Sequence, residues 1–470
     1  MVFHHDATDP LAVITAPPAN ETAEERAARE EREAEAQRIS DAIDAEIHAD
    51  KMARKKREGV VKILLLGQSE SGKSTTLKNF RMKYAHDKWI EERASWRTVI
   101  HFNLVRAINI ILDAVQQEIS GVPLEDEVQD PSLRPLAFTN EHRRLGLRLG
   151  PLRGVESDLK RLLGANPTES RPSSRGGSPS PTDALKPPQE FSVRSWNLRN
   201  VLQAPRLDRS KRTGKQDGVD LNDVTEVIAG CKDDMVALWT DGIVREVLSR
   251  RRIKLDDSAT FFLGQLPRLS DRGYVPTDED ILRARLRTVD IQEHELQMGG
   301  DSDGRQNWII YDVGGSRTQR AAWLPYFDQV NAVIFLAPIS CFDEKLTEDP
   351  RVNRLEDSFI LWKAVCSSKL LTNTTLIMFL NKIDLLEKKI ASGVVVKQHL
   401  PSYGDRPNET GAVVKYLRQK FKDTVKQCSP EPRACHVYPT SVTDPKTTAV
   451  TLLSVRDGIL REHLKRANFV

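Results

Sequence analysis

One octapeptide limits what this chain can fold into more than any other feature does. Residues 67–74 read Gly-Gln-Ser-Glu-Ser-Gly-Lys-Ser, which matches the pattern G-x-x-x-x-G-K-[ST]. The apolar run before it predicts a strand, and helix-forming residues follow from Ser74. Glycines in such a turn let backbone N–H groups face phosphate oxygens, while Lys73 can reach the β- and γ-phosphates and Ser74 can bind Mg²⁺. The sequence therefore predicts a phosphate-binding loop between a strand and a helix.

Composition excludes several classes of protein. The chain has 470 residues, too many for one ordinary domain. Lys and Arg number 70 against 67 Asp and Glu, so charge gives no reason to expect a nucleic-acid binder. No apolar run in the sequence approaches the roughly 18 residues of a membrane span, which argues against an integral membrane protein. The cysteines are widely spaced without C-x-x-C, which favours reduced thiols over a disulfide scaffold or zinc site.

The amino-terminal region divides into two predicted parts. We expect residues 1–20 to be disordered and residues 21–58, rich in Ala, Glu and Arg, to form a helix. This helix either lies solvated on its own domain or docks a partner, and its basic end at 51–57 is either a solvated face or a contact for anionic lipid. Val2 removes the Met-Gly start of N-myristoylation, and no secretory signal is present. We therefore expect a cytoplasmic protein.

Four apolar runs late in the chain alternate with helical segments, and this alternation predicts a mostly parallel sheet with crossover helices. The runs are Trp308–Tyr311, Ala332–Leu336, Leu376–Leu380 and His436–Tyr438.

Helical periodicity occurs over 77–120 and again over 220–251, between the phosphate loop and these runs. We therefore predict a helical domain at 81–280, inserted into an α/β domain made of 59–80 and 281–470. Ser, Pro and Gly dominate residues 171–182, which cannot bury enough apolar surface to fold. This composition predicts a disordered insert over about 121–219, whose residues 165–190 are expected to be protease-sensitive.

Three short motifs after the predicted strands indicate which nucleotide is bound. Asp312-Val-Gly-Gly315 can hold Mg²⁺ through water and sense a γ-phosphate by a glycine N–H. Asn381-Lys-Ile-Asp384 presents a carboxylate that can accept hydrogen bonds from guanine N1–H and N2–H₂, which adenine lacks. Thr440-Ser-Val-Thr443 can offer a backbone N–H to guanine O6. Each motif is weak alone, but their order on successive strands is specific and disfavours a P-loop ATPase or kinase.

These motifs resemble those of the alpha subunits of heterotrimeric G proteins. Residues 280–288 are similar to the first switch of that family, 312–323 to its second switch and 379–384 to its guanine motif, and the resemblance covers 39–120 and 220–465. It implies a Ras-like P-loop GTPase domain with an inserted all-α helical domain. The implied function is a switch that binds GTP or GDP with Mg²⁺, hydrolyses GTP slowly and transduces signals from G-protein-coupled receptors.

The resemblance also implies partners and roles for single residues. The partners are a G-protein βγ dimer, a receptor and an unidentified effector, with peripheral association at the inner face of the plasma membrane through them and no nucleic acid. Arg285, Ser316 and Lys73 take the catalytic positions, with Arg285 as the built-in arginine finger, and Ser74 and Thr288 are the implied Mg²⁺ ligands.

The implied nucleotide-binding residues are Glu70, Ser71, Gly72, Lys73, Ser74, Thr75, Asp257, Ser258, Leu282, Arg283, Ala284, Arg285, Asp312, Val313, Gly314, Gly315, Asn381, Lys382, Asp384 and Val442.

Two departures from the family pattern affect these expectations. Ser316 stands where the family has a glutamine that orients the attacking water, and one short hydroxyl lacks the reach of that carboxamide, so we expect slow hydrolysis. Ala321 and Ala322 replace two lysines, which predicts weaker βγ contacts. The alternative function is a nucleotide-dependent scaffold or binding module with negligible GTP turnover.

Overall fold

The computed structural model describes residues 60–121, 136–163, 192–193, 221–251, 253, 255–288, 291–298, 306–346 and 349–466, together with six single residues before position 60. The predicted disordered amino terminus, residues 1–20, and the predicted protease-sensitive residues 165–190 lie outside the described residues. Of the predicted helix at 21–58, the described residues 27, 34, 35, 38 and 44 are helical. Residues 1–60 form one compact unit and 61–470 another.

A six-stranded sheet organises the second unit. In chain order the strands are β1 (Val61–Gly67), β2 (Ser192–Val193), β3 (Arg287–Thr288), β4 (Gln292–Met298), β5 (Gln306–Asp312), β6 (Ala332–Pro338), β7 (Thr375–Asn381) and β8 (Cys435–Pro439). The large sheet has the order β4-β5-β1-β6-β7-β8, with β4 antiparallel to β5 and the other pairs parallel. This arrangement confirms the predicted sheet and the Ras-like fold class.

Helices cover the sheet and form the helical domain. They are α1 (Lys73–Tyr84), α2 (His86–Arg93), α3 (Trp96–Ile119), α4 (Asn140–Arg148), α5 (Pro151–Leu162), α6 (Leu221–Gly230), α7 (Lys232–Thr240), α8 (Gly242–Arg250), α9 (Asp257–Leu263), α10 (Leu266–Leu269), α11 (Asp278–Arg283), α12 (Arg354–Ser367), α13 (Ile383–Ala391), α14 (Val396–His399), α15 (Thr410–Cys428) and α16 (Pro445–Arg466). The 3₁₀ helices are Arg317–Gln329, Ile339–Cys341, Lys369–Leu371 and Pro401–Tyr403.

Burial explains which strands the sequence reveals. Strands β6 and β7 are buried at every position, as expected for parallel strands covered on both faces, and their continuous apolar runs predicted them. Strand β4 was not predicted. Only Leu296 and Met298 of its seven residues are buried, because the strand lies at the edge of the sheet.

Helix α3 is the centre of the helical domain. Its apolar side chains pack with α5, α6, α8 and α9 in one core. By length and composition α3 is the one helix among those described that could cross a membrane, but 78% of its apolar window is buried inside the protein. The polar residues His101 and Asn109 interrupt this stretch in the sequence, and both are buried. The helix therefore serves as a core element.

The predicted disordered insert over 121–219 is too wide. Helices α4 and α5 lie within it, and Leu152, Val155 and Leu159 belong to the same buried core as α3. The helices escaped prediction because the apolar residues of α5 are few and lie on one face of an otherwise charged segment.

Another part of the predicted insert meets the segment that resembles the first switch. Strand β2 pairs in parallel with β3, Ser192 opposite Arg287 and Val193 opposite Thr288. The backbone of the insert thus contributes one side of a two-stranded sheet to that segment.

The packing of α5 leads to a stability prediction. Leu159→Ala should lower the free energy of unfolding by about 2–5 kcal/mol, because it leaves a cavity in the α3–α5 core. Leu147→Ala on α4 is the matched control, since Leu147 is 80% exposed and should change stability by less than about 0.5 kcal/mol. Urea denaturation followed by circular dichroism measures both, and equal midpoints for the two variants would show that α5 is not part of the core.

Candidate functional site

A cleft of about 1340 Å³ opens where the carboxyl ends of the parallel strands face the helical domain. In open parallel sheets, ligands bind at this edge. All the residues predicted to bind nucleotide line the cleft, whereas Ser316 is not among the lining residues. The side chain of Thr288, the second predicted metal ligand, lies outside the described part of the chain. The fold thus brings together segments that are up to several hundred residues apart in sequence.

The phosphate loop is shaped by close backbone packing. Glu70 has φ of 61° and Gly72 has φ of 103°, both in the left-handed region. A Cβ on Gly72 would collide with the side chains of Asn381 and Val442, so only glycine fits this position. Helix α1 begins at the next residue, Lys73. The loop therefore ends at a helix amino terminus, a backbone arrangement that attracts anions.

Lys73 folds back over this loop. Its Nζ donates hydrogen bonds to the carbonyl oxygens of Gly67 at 2.9 Å and Gln68 at 2.6 Å. Burial lowers the pKa of Lys73 to about 8, although the carboxylate of Asp312 opposes this shift. The cleft thus holds a desolvated ammonium group for which an anionic ligand would be a strong partner.

Oxygen atoms suited to a hard cation lie beside Lys73. Ser74 Oγ donates a hydrogen bond to Asp312 Oδ2 at 2.7 Å, while Asp312 Oδ1 is buried without a hydrogen-bond partner. Burial raises the pKa of Asp312 above its ordinary value, although the charge of Lys73 and the hydrogen bond from Ser74 oppose this shift. A cation held by oxygen atoms would satisfy the orphaned carboxylate oxygen. No group of three or more His, Cys, Asp or Glu suited to a metal occurs among the described residues.

Arg285 is held by two parts of the chain at once. Its guanidinium donates to Glu70 Oε1 at 2.6 Å, in the phosphate loop, and to Asp256 Oδ2 at 2.7 Å, at the start of α9. Its backbone is fixed by Asn103 of α3: Arg285 N–H donates to Asn103 Oδ1 at 2.7 Å, and Asn103 Nδ2 donates to Arg285 O at 2.8 Å. The helical domain therefore sets where this arginine stands in the cleft.

Glu70 is kept ionised by its neighbours. Burial raises the pKa of this carboxyl, but the positive charges of Arg285, Arg354 and Lys382 outweigh burial and hold it at about 2. Arg354 also donates to the carbonyl oxygen of Ser69 at 3.0 Å. The loop is consequently tied both to Arg285 and to the beginning of α12.

The opposite end of the cleft is formed by the loops after β7 and β8. Asn381 Nδ2 donates to Ser71 O at 2.7 Å, and Asp384 Oδ1 accepts from Ser441 Oγ at 2.7 Å. The Val442 N–H, predicted to meet guanine O6, donates instead to Asn381 Oδ1 at 3.2 Å. Side-chain bonds between the loops thus join the predicted guanine motif to the phosphate loop and take up that backbone donor.

The segment that resembles the second switch, residues 312–323, passes close to the phosphate loop at Gly315. A Cβ on Gly315 would collide with the backbone of Gln68 and with Lys73 Nζ, which shows how closely this segment approaches the phosphate loop. Ser316 is buried, and its Oγ donates to Gln319 Oε1 at 2.9 Å. Trp323 Nε1 donates to Gly314 O at 2.9 Å and anchors the following 3₁₀ helix.

Sequence reasoning missed several residues that shape the cleft. Asn103 lies in an apolar helix, where a polar side chain was the available signal. Asp256 precedes the predicted Asp257 and caps α9 through the N–H of Ala259. Gln319 lines the cleft although it was assigned no role.

The cleft and fold agree with comparisons to known proteins. The G-protein alpha subunit family matches residues 37–459. The chain is 31% identical to the guanine nucleotide-binding protein alpha-4 subunit of Mycosarcoma maydis, over 99% of this chain and 96% of that protein. It is 28% identical to the alpha-2 subunit of Neurospora crassa, over 92% and 96% of the two chains, and 30% identical to the alpha-3 subunit of Caenorhabditis briggsae, over 91% and 94%.

The chain belongs to the G-protein alpha subunit family. This alpha subunit is a GTP-binding signalling switch, and the proteins of its family are GTPases that bind guanine nucleotides and act in heterotrimeric G-protein signalling.

The clamp on the Arg285 backbone yields a prediction. Asn103→Ala should slow single-turnover GTP hydrolysis by about tenfold, equivalent to about 1.4 kcal/mol, because the arginine would lose its fixed position. Release of inorganic phosphate from preloaded GTP measures the rate. Asn109→Ala, on the same helix but bonded to Glu156 at 2.7 Å, should leave the rate within about twofold. Equal hydrolysis rates for the two variants would show that Asn103 does not position Arg285 for hydrolysis.

Proposed function

We propose that this alpha subunit binds GTP and GDP with Mg²⁺ in the cleft and hydrolyses GTP slowly, as a transducer for a G-protein-coupled receptor. The observation that carries the proposal is the convergence on one cleft of the phosphate loop, Arg285 and the guanine motif. The segments that supply them are far apart in sequence, and nucleotide binding accounts for all of them together. A GTP-loading experiment followed by a hydrolysis time course tests it.

The phosphates would lie along the loop at the start of α1. Backbone N–H groups there and the ammonium of Lys73 would face the phosphate oxygens, and Lys73 would exchange its carbonyl partners for them. The hydroxyl of Ser74 and the carboxylate of Asp312 fit Mg²⁺, the carboxylate through water, with Thr288 as a further ligand. When bound, Mg²⁺ would supply positive charge that offsets the negative charge developing on the phosphate oxygens.

Arg285 would stabilise the charge that develops on the γ-phosphate. Its guanidinium is already in the cleft, where Glu70 and Asp256 neutralise it. A negatively charged γ-phosphate competes with these two carboxylates for the same N–H groups. Arg285 therefore gains its catalytic contact by exchanging partners within the cleft, and Asn103 keeps its backbone in place during the exchange.

Guanine would be recognised by Asp384 beside Lys382 and Asn381. Ser441 donates to Asp384 Oδ1 and so fixes the plane of the carboxylate, whose oxygens can accept from guanine N1–H and N2–H₂. Lys382 reaches Asp257 of the helical domain at 3.3 Å, and this contact would help close the domain over the nucleotide.

The second switch supports a proposal about partners. Ala321 and Ala322 are exposed on the 3₁₀ helix, where the family pattern has lysines. We place a βγ dimer, a receptor and an effector among the partners, with the βγ contact weakened by the two alanines. Association with the inner face of the plasma membrane would then come through these partners.

Nucleotide specificity is tested at Asp384. Asp384→Asn should weaken GTP binding by at least about tenfold and improve binding of xanthosine triphosphate, because the amide can donate to the extra carbonyl oxygen of xanthine. Competition against a fluorescent guanine nucleotide measures both affinities. Asp405→Asn is the control, since its side chain is 93% exposed, pairs with Lys397 and does not line the cleft. Equal affinity of the native protein for ATP and GTP would contradict the assignment.

Turnover is tested at Ser316. Ser316→Gln should raise single-turnover hydrolysis by at least about tenfold, a barrier change of about 1.4 kcal/mol, because it restores a carboxamide at the family position. Arg285→Cys in that background should remove the gain. Should native protein load GTP but show no turnover at all, the alternative of a nucleotide-dependent scaffold would replace the switch.

A further inference from the structure

A carboxamide stands close to the position where this chain lacks the family glutamine. Gln319 lines the cleft together with Gly314, Gly315 and Lys73, while Ser316 itself is buried behind the surface of the cleft. Gln319 was not singled out in the sequence because it lies three residues after the position that the family pattern marks. Its placement in the fold nevertheless brings its side chain to the same end of the cleft.

Local structure explains how Gln319 returns to that end. The 3₁₀ helix begins at Arg317, and Gln319 N–H donates to Ser316 O at 3.0 Å, closing its first turn. The side chain of Gln319 then folds over Gly314, where a Cβ would collide with the carboxamide. Only a glycine at 314 leaves room for this conformation.

Ser316 fixes the orientation of the carboxamide. Its Oγ donates to Gln319 Oε1 at 2.9 Å. A carboxamide oxygen is a hydrogen-bond acceptor with two lone-pair positions. The amide nitrogen of the same group is a donor. One carboxamide can therefore accept from a water molecule and donate to a phosphate oxygen, the two tasks that a lone serine hydroxyl cannot combine.

We propose that Gln319 orients the attacking water in this alpha subunit and that Ser316 is a positioning residue for Gln319. The inference rests on the proposed GTP hydrolysis. In that step the water oxygen bonds to the γ-phosphorus, the bond from phosphorus to the β–γ bridging oxygen breaks, and GDP leaves with that oxygen. One proton of the water goes to the phosphate product and the other to solvent. Gln319 changes no bond of its own and acts by aiming the water.

Two other carboxamides line the cleft within the described residues, and neither fits the role as well. Asn381 is committed to Ser71 O and the Val442 N–H at the opposite end. Gln292 is on β4, opposite Asp312 in the sheet, and its Oε1 lies 3.2 Å from His294 Nε2. Gln292 is therefore the matched comparison for an experiment on Gln319.

The test is single-turnover hydrolysis of preloaded GTP by the full chain. Gln319→Ala should slow hydrolysis by about tenfold, and Ser316→Ala should slow it by about threefold, because the carboxamide stays but loses its anchor. Gln292→Ala should stay within about twofold of the native rate. GDP affinity, measured by fluorescence titration, should be unchanged in all three variants and shows that each is folded.

A double variant separates a role in aiming water from a structural role. In the Ser316→Gln background a carboxamide occupies the family position, so Gln319→Ala should change the rate by less than about twofold there. An equal tenfold loss in both backgrounds would mean that Gln319 supports the fold of the switch, and a native-like rate for the single variant would mean that Gln319 is not involved. Either result overturns the inference. Absence of GTP binding or of any effect of Arg285→Cys would instead overturn the proposed function.

Discussion

The guanidinium of Arg285 and its carboxylate partners connect the parts of the cleft. Glu70 belongs to the phosphate loop and Asp256 to the helical domain, so a single cation bridges the two sides of the nucleotide site. Exposed ion pairs contribute little, but this cluster is half-buried, and Asn103 fixes its backbone by two hydrogen bonds. The guanidinium could exchange either carboxylate for a γ-phosphate, because phosphate oxygens accept hydrogen bonds in the same way as carboxylate oxygens.

The cost of burying charge explains why the cleft requires an anion. Lys73 and Asp312 are both buried. Burial lowers the pKa of Lys73 and raises the pKa of Asp312, so it favours the neutral form of each group. Their mutual attraction does not cancel this effect, and one oxygen of Asp312 has no hydrogen-bond partner. Phosphate oxygens beside Lys73 and a cation beside Asp312 would stabilise both charged forms at once. These two buried groups are therefore consistent with the proposed ligand, a nucleotide bound together with Mg²⁺.

The sequence predicted those features that depend on local pattern. Strands β6 and β7 were visible because both of their faces are buried. The phosphate loop was visible because its backbone conformation requires glycine at a fixed position. Strand β4 and helix α5 were missed because each buries only a few side chains. Asn103 was missed for another reason: its partner is 182 residues away in sequence, and no local pattern records a contact of that kind.

The second switch shows how a comparison by position can misjudge a site. Read position by position, Ser316 is the loss of a catalytic glutamine. In the folded chain the next turn of the 3₁₀ helix carries Gln319 back to Ser316, and glycine at 314 provides the space that its carboxamide occupies. A function that needs a group at a point in space can be supplied from any residue whose backbone turns toward that point. Since one helical turn returns the chain after about three residues, the positions three or four beyond a missing side chain are the first places to look for its replacement.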